Sequence, residues 1–231
     1  MDLMHLLYRH LPHRCSLCGH RAHELLCRAC HADLPRNTNH CQTCALPLKV
    51  NQPTCGDCLA YPKLYELTVS PLLYQHPVDH LILHLKKRNP RIQARALLPL
   101  LVATLQDLYQ ASWPDIMVPV PSPWLTRLRR GFNHAEALAE LLSAATGVKV
   151  LACMSHTGKV KPQKTLDRKE RFANLRNTFQ CRAQFNGETI AVVDDVITTG
   201  ATAQLMSRCL LDAGAGKVHI WSLARTPKPG T

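Results

Sequence analysis

Residues 190–202 read IAVVDDVITTGAT. The apolar start predicts a buried strand, and this strand brings two adjacent carboxylates, Asp194 and Asp195, to its carboxyl end. Small hydroxyl residues and Gly200 follow, and a helical pattern begins at Ala201. In open α/β sheets, ligands bind outside the carboxyl ends of the strands. The stretch therefore predicts a strand–loop–helix unit that faces a ligand.

The loop of this unit has the chemistry of a phosphate site. A helix N-terminus offers backbone N–H groups without intrahelical partners and the positive end of the helix dipole. The hydroxyls of Thr198, Thr199 and Thr202 add further donors. Asp194 and Asp195 would repel a phosphate, so we expect them to face ribose hydroxyls or Mg²⁺. A generic turn after an acidic strand end is the alternative, and the order of residues disfavours it.

Strands and helices alternate around this unit. We predict strands at 116–120, 148–152, 189–193 and 217–223, and helices at 134–146, 167–176 and 201–213. Upstream, residues 67–75 read as extended, and residues 77–87 and 91–110 read as helices. This pattern is typical of an α/β protein with a parallel sheet and helices on both faces. A linker at 61–63 divides the chain into residues 1–62 and residues 63–231.

Eight of the eleven cysteines form four CxxC pairs in the first 58 residues. A CxxC knuckle turns two sulfurs toward one point, and two knuckles complete a tetrahedral zinc site. We expect two structural Zn²⁺ ions, held in succession by Cys15, Cys18, Cys27 and Cys30 and then by Cys41, Cys44, Cys55 and Cys58. Interleaved pairing of the knuckles is the alternative. The remaining cysteines are isolated, and we expect small core residues at Cys153, Cys181 and Cys209.

Charge and composition narrow the classes of partner. The formal net charge is +12, and the second part of the chain, residues 63–231, contributes +10 of it. A positive field of this size predicts an anionic partner, either phosphate, polyphosphate or nucleic acid. A signal-peptide pattern and an apolar run of about 18 residues are both lacking. We therefore expect a cytoplasmic protein that does not bind membranes, and this disfavours a secreted disulfide framework.

Two resemblances extend these inferences. Residues 190–202 resemble the PRPP-binding signature of type I phosphoribosyltransferases. Two further segments and the eight-cysteine front end resemble the ComF family and its double zinc ribbon, so the likeness covers nearly the whole chain. The first segment is Val118-Pro119-Val120-Pro121 with Arg127, Arg129, Arg130, Gly131, Phe132 and Asn133, and the second is Gln163 with Leu166, Arg168, Arg171, Asn174 and Phe179.

The resemblance implies a type I phosphoribosyltransferase fold and assigns roles within it. Asp194 and Asp195 are the implied catalytic carboxylates, which hold the ribose 2- and 3-hydroxyls of PRPP bound with Mg²⁺. The implied contacts of the 5-phosphate are Thr198, Thr199, Gly200, Ala201 and Thr202. Val120 and Pro121 are implied to lie near the pyrophosphate. A basic loop that closes over the ligand is implied to contain Lys159, Lys161 and Arg168. The chain departs from the family where lysines replace a common arginine in that loop, and where His134 replaces a common glutamine.

Three functions are consistent with these features. The first is a phosphoribosyltransferase that binds PRPP or another 5-phosphoribosyl ligand and transfers the phosphoribosyl group to an unknown acceptor. The second is a non-catalytic competence or DNA-uptake accessory protein that binds single-stranded DNA or a DNA-processing partner such as a helicase. Trp124, Phe132 and Phe172 could stack bases in that case. The third is a sensor that binds PRPP without turnover.

Overall fold

A computed structural model describes residues 13–85, 90–110, 112–157 and 178–228, with the backbone alone for residues 13 and 90–93. The strands are β1 (His13–Arg14), β2 (Arg21–Ala22), β3 (Leu67–Val69), β4 (Leu72–Leu73), β5 (Ile116–Pro119), β6 (Lys149–Val150), β7 (Met154–His156), β8 (Phe179–Cys181), β9 (Thr189–Ile197) and β10 (Lys217–Arg225). The helices are α1 (Arg28–Ala32), α2 (Gly56–Ala60), α3 (Val78–Leu85), α4 (Pro90–Tyr109), α5 (Trp124–Arg130), α6 (His134–Thr146) and α7 (Ala201–Asp212).

The central sheet is parallel throughout and follows the order β3-β10-β9-β5-β6, with β4 paired to the far end of β10. The predicted class, a parallel α/β sheet flanked by helices and joined to a small zinc-ribbon module, is confirmed. The strand predicted at 189–193 continues to Ile197. Both carboxylates therefore lie within β9 rather than beyond its end.

Apolar residues on β9 alternate between two cores, as expected for a strand that is covered on both faces. Ala191 and Val193 are buried in one cluster of apolar residues, with Leu97, Leu138 and Trp221 among its members. The other cluster contains Ile190, Val192, Met206, Leu210 and Ile220. Helices α3, α4 and α6 supply residues to the first core, and α7 supplies residues to the second.

Helix α6 has the bounds that the sequence predicts, because local signals fix both of its ends. The Asn133 side chain accepts a hydrogen bond from the Ala135 N–H at 3.1 Å and caps the N-terminus. Gly147 ends the helix in the left-handed region with a φ of 78°. The cap places His134 as the first helical residue, at the carboxyl edge of the sheet.

The cysteine-rich part of the chain packs on the edge of the sheet. The Thr68 N–H donates to the Gln42 carbonyl at 3.1 Å, and the Asn37 N–H donates to the Pro71 carbonyl at 2.9 Å. The Leu73 N–H donates to the carbonyl of Pro35 at 2.9 Å. These bonds cover an edge that would otherwise present unpaired backbone groups to solvent.

Strands β7 and β8 form an antiparallel pair beside the second core. The predicted helix at 167–176 lies outside the described residues. Cys153 and Cys181 lie on this pair with their sulfurs 3.9 Å apart. Burial raises the pKa of the Cys153 thiol to about 12, so the thiol stays protonated, as in an inert core residue. Among the described residues, no helix has the length and apolar character that crossing a bilayer requires.

The packing of α6 predicts a contrast between two leucines. Leu138 is fully buried in the first core, whereas Leu128 on α5 is 72% exposed. We expect Leu138→Ala to lower the free energy of unfolding by about 2–5 kcal/mol, because it leaves a cavity. Leu128→Ala should change it by less than about 0.5 kcal/mol. Urea unfolding followed by circular dichroism measures both, and equal effects would contradict the register of α6.

Candidate functional site

A pocket opens at the carboxyl end of β9, where the sequence predicts a ligand. Residues from β9, from β10, from the loop of residues 198–200 (the β9–α7 loop) and from the start of α7 line it, together with the residue that follows β5. They are Val120, Val192, Asp194, Val196, Ile197, Thr198, Gly200, Ala201, Thr202, Ala203 and Ile220. Of the predicted contacts in the described residues, Pro121, Thr199 and Asp195 are not among the lining residues.

Gly200 begins α7 in a conformation that other residues rarely adopt. Its φ is +81°, and a Cβ atom there would lie 3.2 Å from the Tyr65 hydroxyl. A glycine N-cap has no side chain to accept hydrogen bonds from the first N–H groups of the helix. The Ala201 N–H donates instead to Oγ1 of Thr199 at 3.3 Å. The start of α7 can direct the N–H groups that follow toward an anion in the pocket.

The two carboxylates occupy different environments. Asp194 lines the pocket, whereas the side chain of Asp195 is only 5% exposed. The Asp195 N–H donates to Oδ1 of Asp194 at 2.9 Å, and the Val196 N–H donates to Oδ1 of Asp195 at 2.9 Å. These backbone bonds fix the orientation of both groups. Asp194 can contact a ligand directly, and Asp195 supports the floor of the site.

His134 approaches the carboxylates from the start of α6. Its Nε2 lies 3.4 Å from Oδ1 of Asp195. Donor atoms of His134, Asp194 and Asp195 all lie within 4.8 Å of one another, a spacing that could hold a divalent cation. His134 is the first residue of the helix predicted at 134–146, and its ring contacts the Asp195 carboxylate. Sequence reasoning did not identify its partner, because 61 positions separate it from Asp195.

Arg225 is the site residue that sequence reasoning missed. Its side chain is buried at the end of β10, with a relative exposure of 3%. The guanidinium donates to four carbonyls: Nε to Cys44 at 2.9 Å, and Nη1 to Ile197 at 3.0 Å, to Thr226 at 2.8 Å and to Thr198. The available signal was a single arginine at the end of an apolar strand, where a buried charge requires hydrogen-bond partners.

The cysteines form two four-sulfur groups in the successive pairing that the sequence favours. The first zinc site contains Cys15, Cys18, Cys27 and Cys30, and the second zinc site contains Cys41, Cys44, Cys55 and Cys58. The interleaved alternative is wrong. The Cys18–Cys27 and Cys44–Cys55 sulfur separations are both 3.7 Å. A tetrahedron with Zn–S bonds of about 2.3 Å has edges of about 3.8 Å, so both groups fit Zn²⁺.

Helix α5 forms an exposed surface that is both apolar and basic. Trp124, Leu125 and Leu128 are 61%, 51% and 72% exposed. Arg127, Arg129 and Arg130 are exposed on the same short helix, and Arg127 pairs with Glu136 at 3.3 Å. We call these six residues of α5 the α5 surface. The predicted basic contacts Lys159, Lys161 and Arg168 lie outside the described residues.

Together these features define a class: a parallel α/β protein with a strand–loop–helix pocket and two four-cysteine groups. Residues 4–59 match the double zinc ribbon domain family. Competence protein F of Haemophilus influenzae is 30% identical over 225 residues, which cover 92% of this chain and 96% of that protein. DNA utilization protein YhgH of Escherichia coli is 30% identical over 228 residues, which cover 94% and 98%.

The chain therefore belongs to the ComF family. Competence protein ComFC of Bacillus subtilis is 28% identical over 214 residues, which cover 88% of this chain and 85% of that protein. Among solved structures, a purine phosphoribosyltransferase from Pyrococcus horikoshii aligns with a TM-score of 0.37 and 14% identity. That alignment covers 56% of this chain and 82% of the other.

The two sulfur groups predict a defined metal content. We expect two zinc ions per chain by elemental analysis of protein purified without chelator. Cys44→Ser should lower the content to one, because three thiolates and a hydroxyl hold Zn²⁺ weakly. Cys153→Ser, outside both groups, should leave two. A count of two in the Cys44→Ser protein would contradict the assignment.

Proposed function

We propose that this protein binds a 5-phosphoribosyl ligand such as PRPP, as its Mg²⁺ complex, in the pocket at the carboxyl end of β9. One observation carries the proposal: the start of α7, with glycine at its N-cap, and the carboxylate of Asp194 line the same small pocket. The first binds anions and the second accepts hydrogen bonds from hydroxyls. A phosphorylated sugar offers both groups a few ångströms apart.

The 5-phosphate contacts the start of α7 in this proposal. The Ala201 N–H donates to Oγ1 of Thr199 at 3.3 Å, so the phosphate takes its backbone bonds from the next N–H groups of the first turn, beginning with Thr202, as in other anion sites at helix N-termini. The hydroxyls of Thr198, Thr199 and Thr202 lie on or beside the loop and can donate to phosphate oxygens. The helix dipole adds a favourable interaction with the negative charge.

The ribose hydroxyls contact the carboxylates. Asp194 accepts a hydrogen bond from a ribose hydroxyl. Asp195 does not line the pocket, and in this proposal it acts with Asp194 and His134, whose donor atoms lie within 4.8 Å of its own, to hold the hydrated cation. Oxygen ligands are those that Mg²⁺ prefers, so the carboxylate pair is compatible with it. When bound, Mg²⁺ neutralises negative charge on the pyrophosphate. Val120 and Pro121 directly follow β5, and we assign them to the pyrophosphate together with Lys159, Lys161 and Arg168.

Turnover is a further part of the proposal. In a transferase, the bond between the anomeric carbon and the pyrophosphate oxygen breaks as a nitrogen acceptor attacks and loses a proton. Positive charge develops on the ribose ring, and Asp194 and Asp195 stabilise it electrostatically. Residues 63–231 carry this chemistry in the proposal, and residues 1–62 hold zinc and support the loop. A cytoplasmic location is consistent with PRPP as the ligand.

Calorimetric titration of the zinc-loaded protein with PRPP and Mg²⁺ tests the binding site. Asp194→Asn should weaken binding about tenfold or more, because a hydrogen bond to a charged group contributes about 1.5–3 kcal/mol. Asp212→Asn removes the same charge from the exposed far end of α7 and should leave the affinity unchanged. A parallel assay for pyrophosphate, with nitrogen bases and amines added, reports turnover.

Each result of this titration has a defined meaning. Saturable binding that requires Asp194 supports the site, and pyrophosphate release with an added acceptor establishes a transferase. Binding without release supports the sensor function instead. Absence of binding, or equal affinity of wild type and Asp194→Asn, would refute the proposed site.

The α5 surface favours a second candidate function, binding of single-stranded DNA. Three of the sequence relatives are named for competence or DNA utilization. An exposed tryptophan beside arginines is the combination that stacks bases and contacts phosphates in single-strand binding proteins. In this function the phosphoribosyl pocket recognises a nucleotide or the 5-phosphorylated end of a strand, and the zinc ribbons bind DNA or a helicase.

Titration with a labelled oligothymidine at several salt concentrations tests this second function. Trp124→Ala should weaken binding about tenfold, consistent with a loss of about 1–3 kcal/mol of stacking. Arg130→Gln should lower the slope of log affinity against log salt by about one unit. Lys149→Gln removes an exposed charge from β6 and serves as the matched control. Unchanged affinity and slope in both α5 variants would exclude this surface.

A further inference from the structure

Arg225 connects the β9–α7 loop to the second zinc site. Its Nη1 donates to the carbonyls of Ile197 and Thr198, where β9 passes into the β9–α7 loop. Its Nε donates to the carbonyl of Cys44, a ligand residue of the second zinc site. A guanidinium is planar and rigid, so these acceptors are held in a fixed relative position.

The bonds to the loop orient its peptide groups. In a trans peptide, the carbonyl of one residue and the N–H of the next point in opposite directions. Turning the carbonyls of Ile197 and Thr198 toward Arg225 therefore turns the N–H groups of Thr198 and Thr199 away from it. Arg225, which lies beneath the loop, thus orients the backbone N–H donors of the loop toward the side that faces the ligand.

The other end of the link depends on the zinc knuckle. The Ala45 N–H donates to the Cys41 carbonyl at 2.8 Å, and Ala45 has a φ of +54°. This tight turn directs the Cys44 sulfur toward the other three sulfurs and its carbonyl toward Arg225. Because metal binding supplies much of the folding energy of a zinc knuckle, the position of that carbonyl depends on the bound ion.

Other contacts join the same two parts. Tyr65 is buried in the core cluster that contains all four cysteines of the second zinc site, and its hydroxyl lies beneath Gly200. Burial, together with the neighbouring thiols, raises the pKa of Tyr65, so its hydroxyl remains a neutral donor. The Leu64 N–H donates to the Gln204 side chain in α7 at 3.2 Å. The second zinc site is therefore packed directly behind the loop.

We propose that Arg225 is a positioning residue that links zinc occupancy of the second site to phosphate binding at the β9–α7 loop. This inference rests on the proposed function, because it assumes that the loop binds a 5-phosphate. Linkage between two binding sites is reciprocal. Zinc at the second site strengthens phosphate binding, and a bound phosphate slows the loss of that zinc by ordering the same carbonyls.

Two measurements on the full-length protein test the link, with ribose 5-phosphate as a probe that needs no added metal. The first measurement is the affinity of ribose 5-phosphate for the wild-type protein and for the variants Arg225→Lys and Arg208→Lys. Elemental analysis first confirms that each protein holds two zinc ions. Arg225→Lys keeps the positive charge but loses the planar guanidinium that donates both to Cys44 and to the β9–α7 loop. We expect the affinity for ribose 5-phosphate to fall about tenfold. Arg208 is exposed on α7, and its substitution should have no effect.

The second measurement is the rate of zinc extraction by a chromogenic chelator. In wild type, saturating ribose 5-phosphate should slow the release of one of the two zinc ions about tenfold. Cys18→Ser removes the exposed ligand of the first zinc site. Ribose 5-phosphate should still slow the extraction of the zinc ion that remains at the second site. In Arg225→Lys the protection should disappear, a loss that general destabilisation would not cause by itself.

The outcomes separate the inference from the function on which it rests. Binding of ribose 5-phosphate to wild type, with no protection of zinc or with equal protection in Arg225→Lys, would overturn the link and leave the proposed function standing. Protection of the zinc that Cys18→Ser removes would also overturn it. Failure of ribose 5-phosphate to bind the wild type would refute both. Protection of the second site alone, lost in Arg225→Lys, supports the link.

Discussion

The parallel pairing of β9 and β10 is the interaction on which the rest of the structure depends. The two strands are nine residues long and paired from Thr189 and Lys217 to Ile197 and Arg225. Their length carries the carboxylates beyond the buried centre of the sheet to its carboxyl edge. Their register sets Arg225 beside Ile197, so a guanidinium from one strand can hold the loop that follows the other.

The zinc ribbon stabilises this sheet as well as the segment that contains its cysteines. Backbone bonds from residues 35–42 complete the edge formed by β3 and β4. Cysteines of the first site pack with the core beneath α3, α4 and α6, and those of the second site pack with the core beneath α7. The ribbon therefore contributes to both faces, and its sulfur clusters replace apolar side chains that so short a segment cannot supply.

The features predicted correctly from the sequence are those that local signals determine. Caps at Asn133 and Gly147 set the bounds of α6, and the spacing of the CxxC pairs set the metal groups. The order of residues from Ile190 to Thr202 located the pocket. The contact of His134 with Asp195 and the bonds of Arg225 to Cys44 join positions 61 and 181 residues apart. Such contacts depend on strand order and register, which a single sequence does not reveal.

The hydrogen bond from Arg225 to Cys44 also has a consequence for the order in which the chain folds. The ribbon is synthesised before β10, which it must contact. During translation, residues 13–60 have no sheet edge to pair with and little apolar core of their own. Coordination of Zn²⁺ needs only nearby residues, so metal can stabilise this segment before its docking surface exists. The supply of zinc would therefore affect the folding of this segment during synthesis, before the sheet on which it packs has formed.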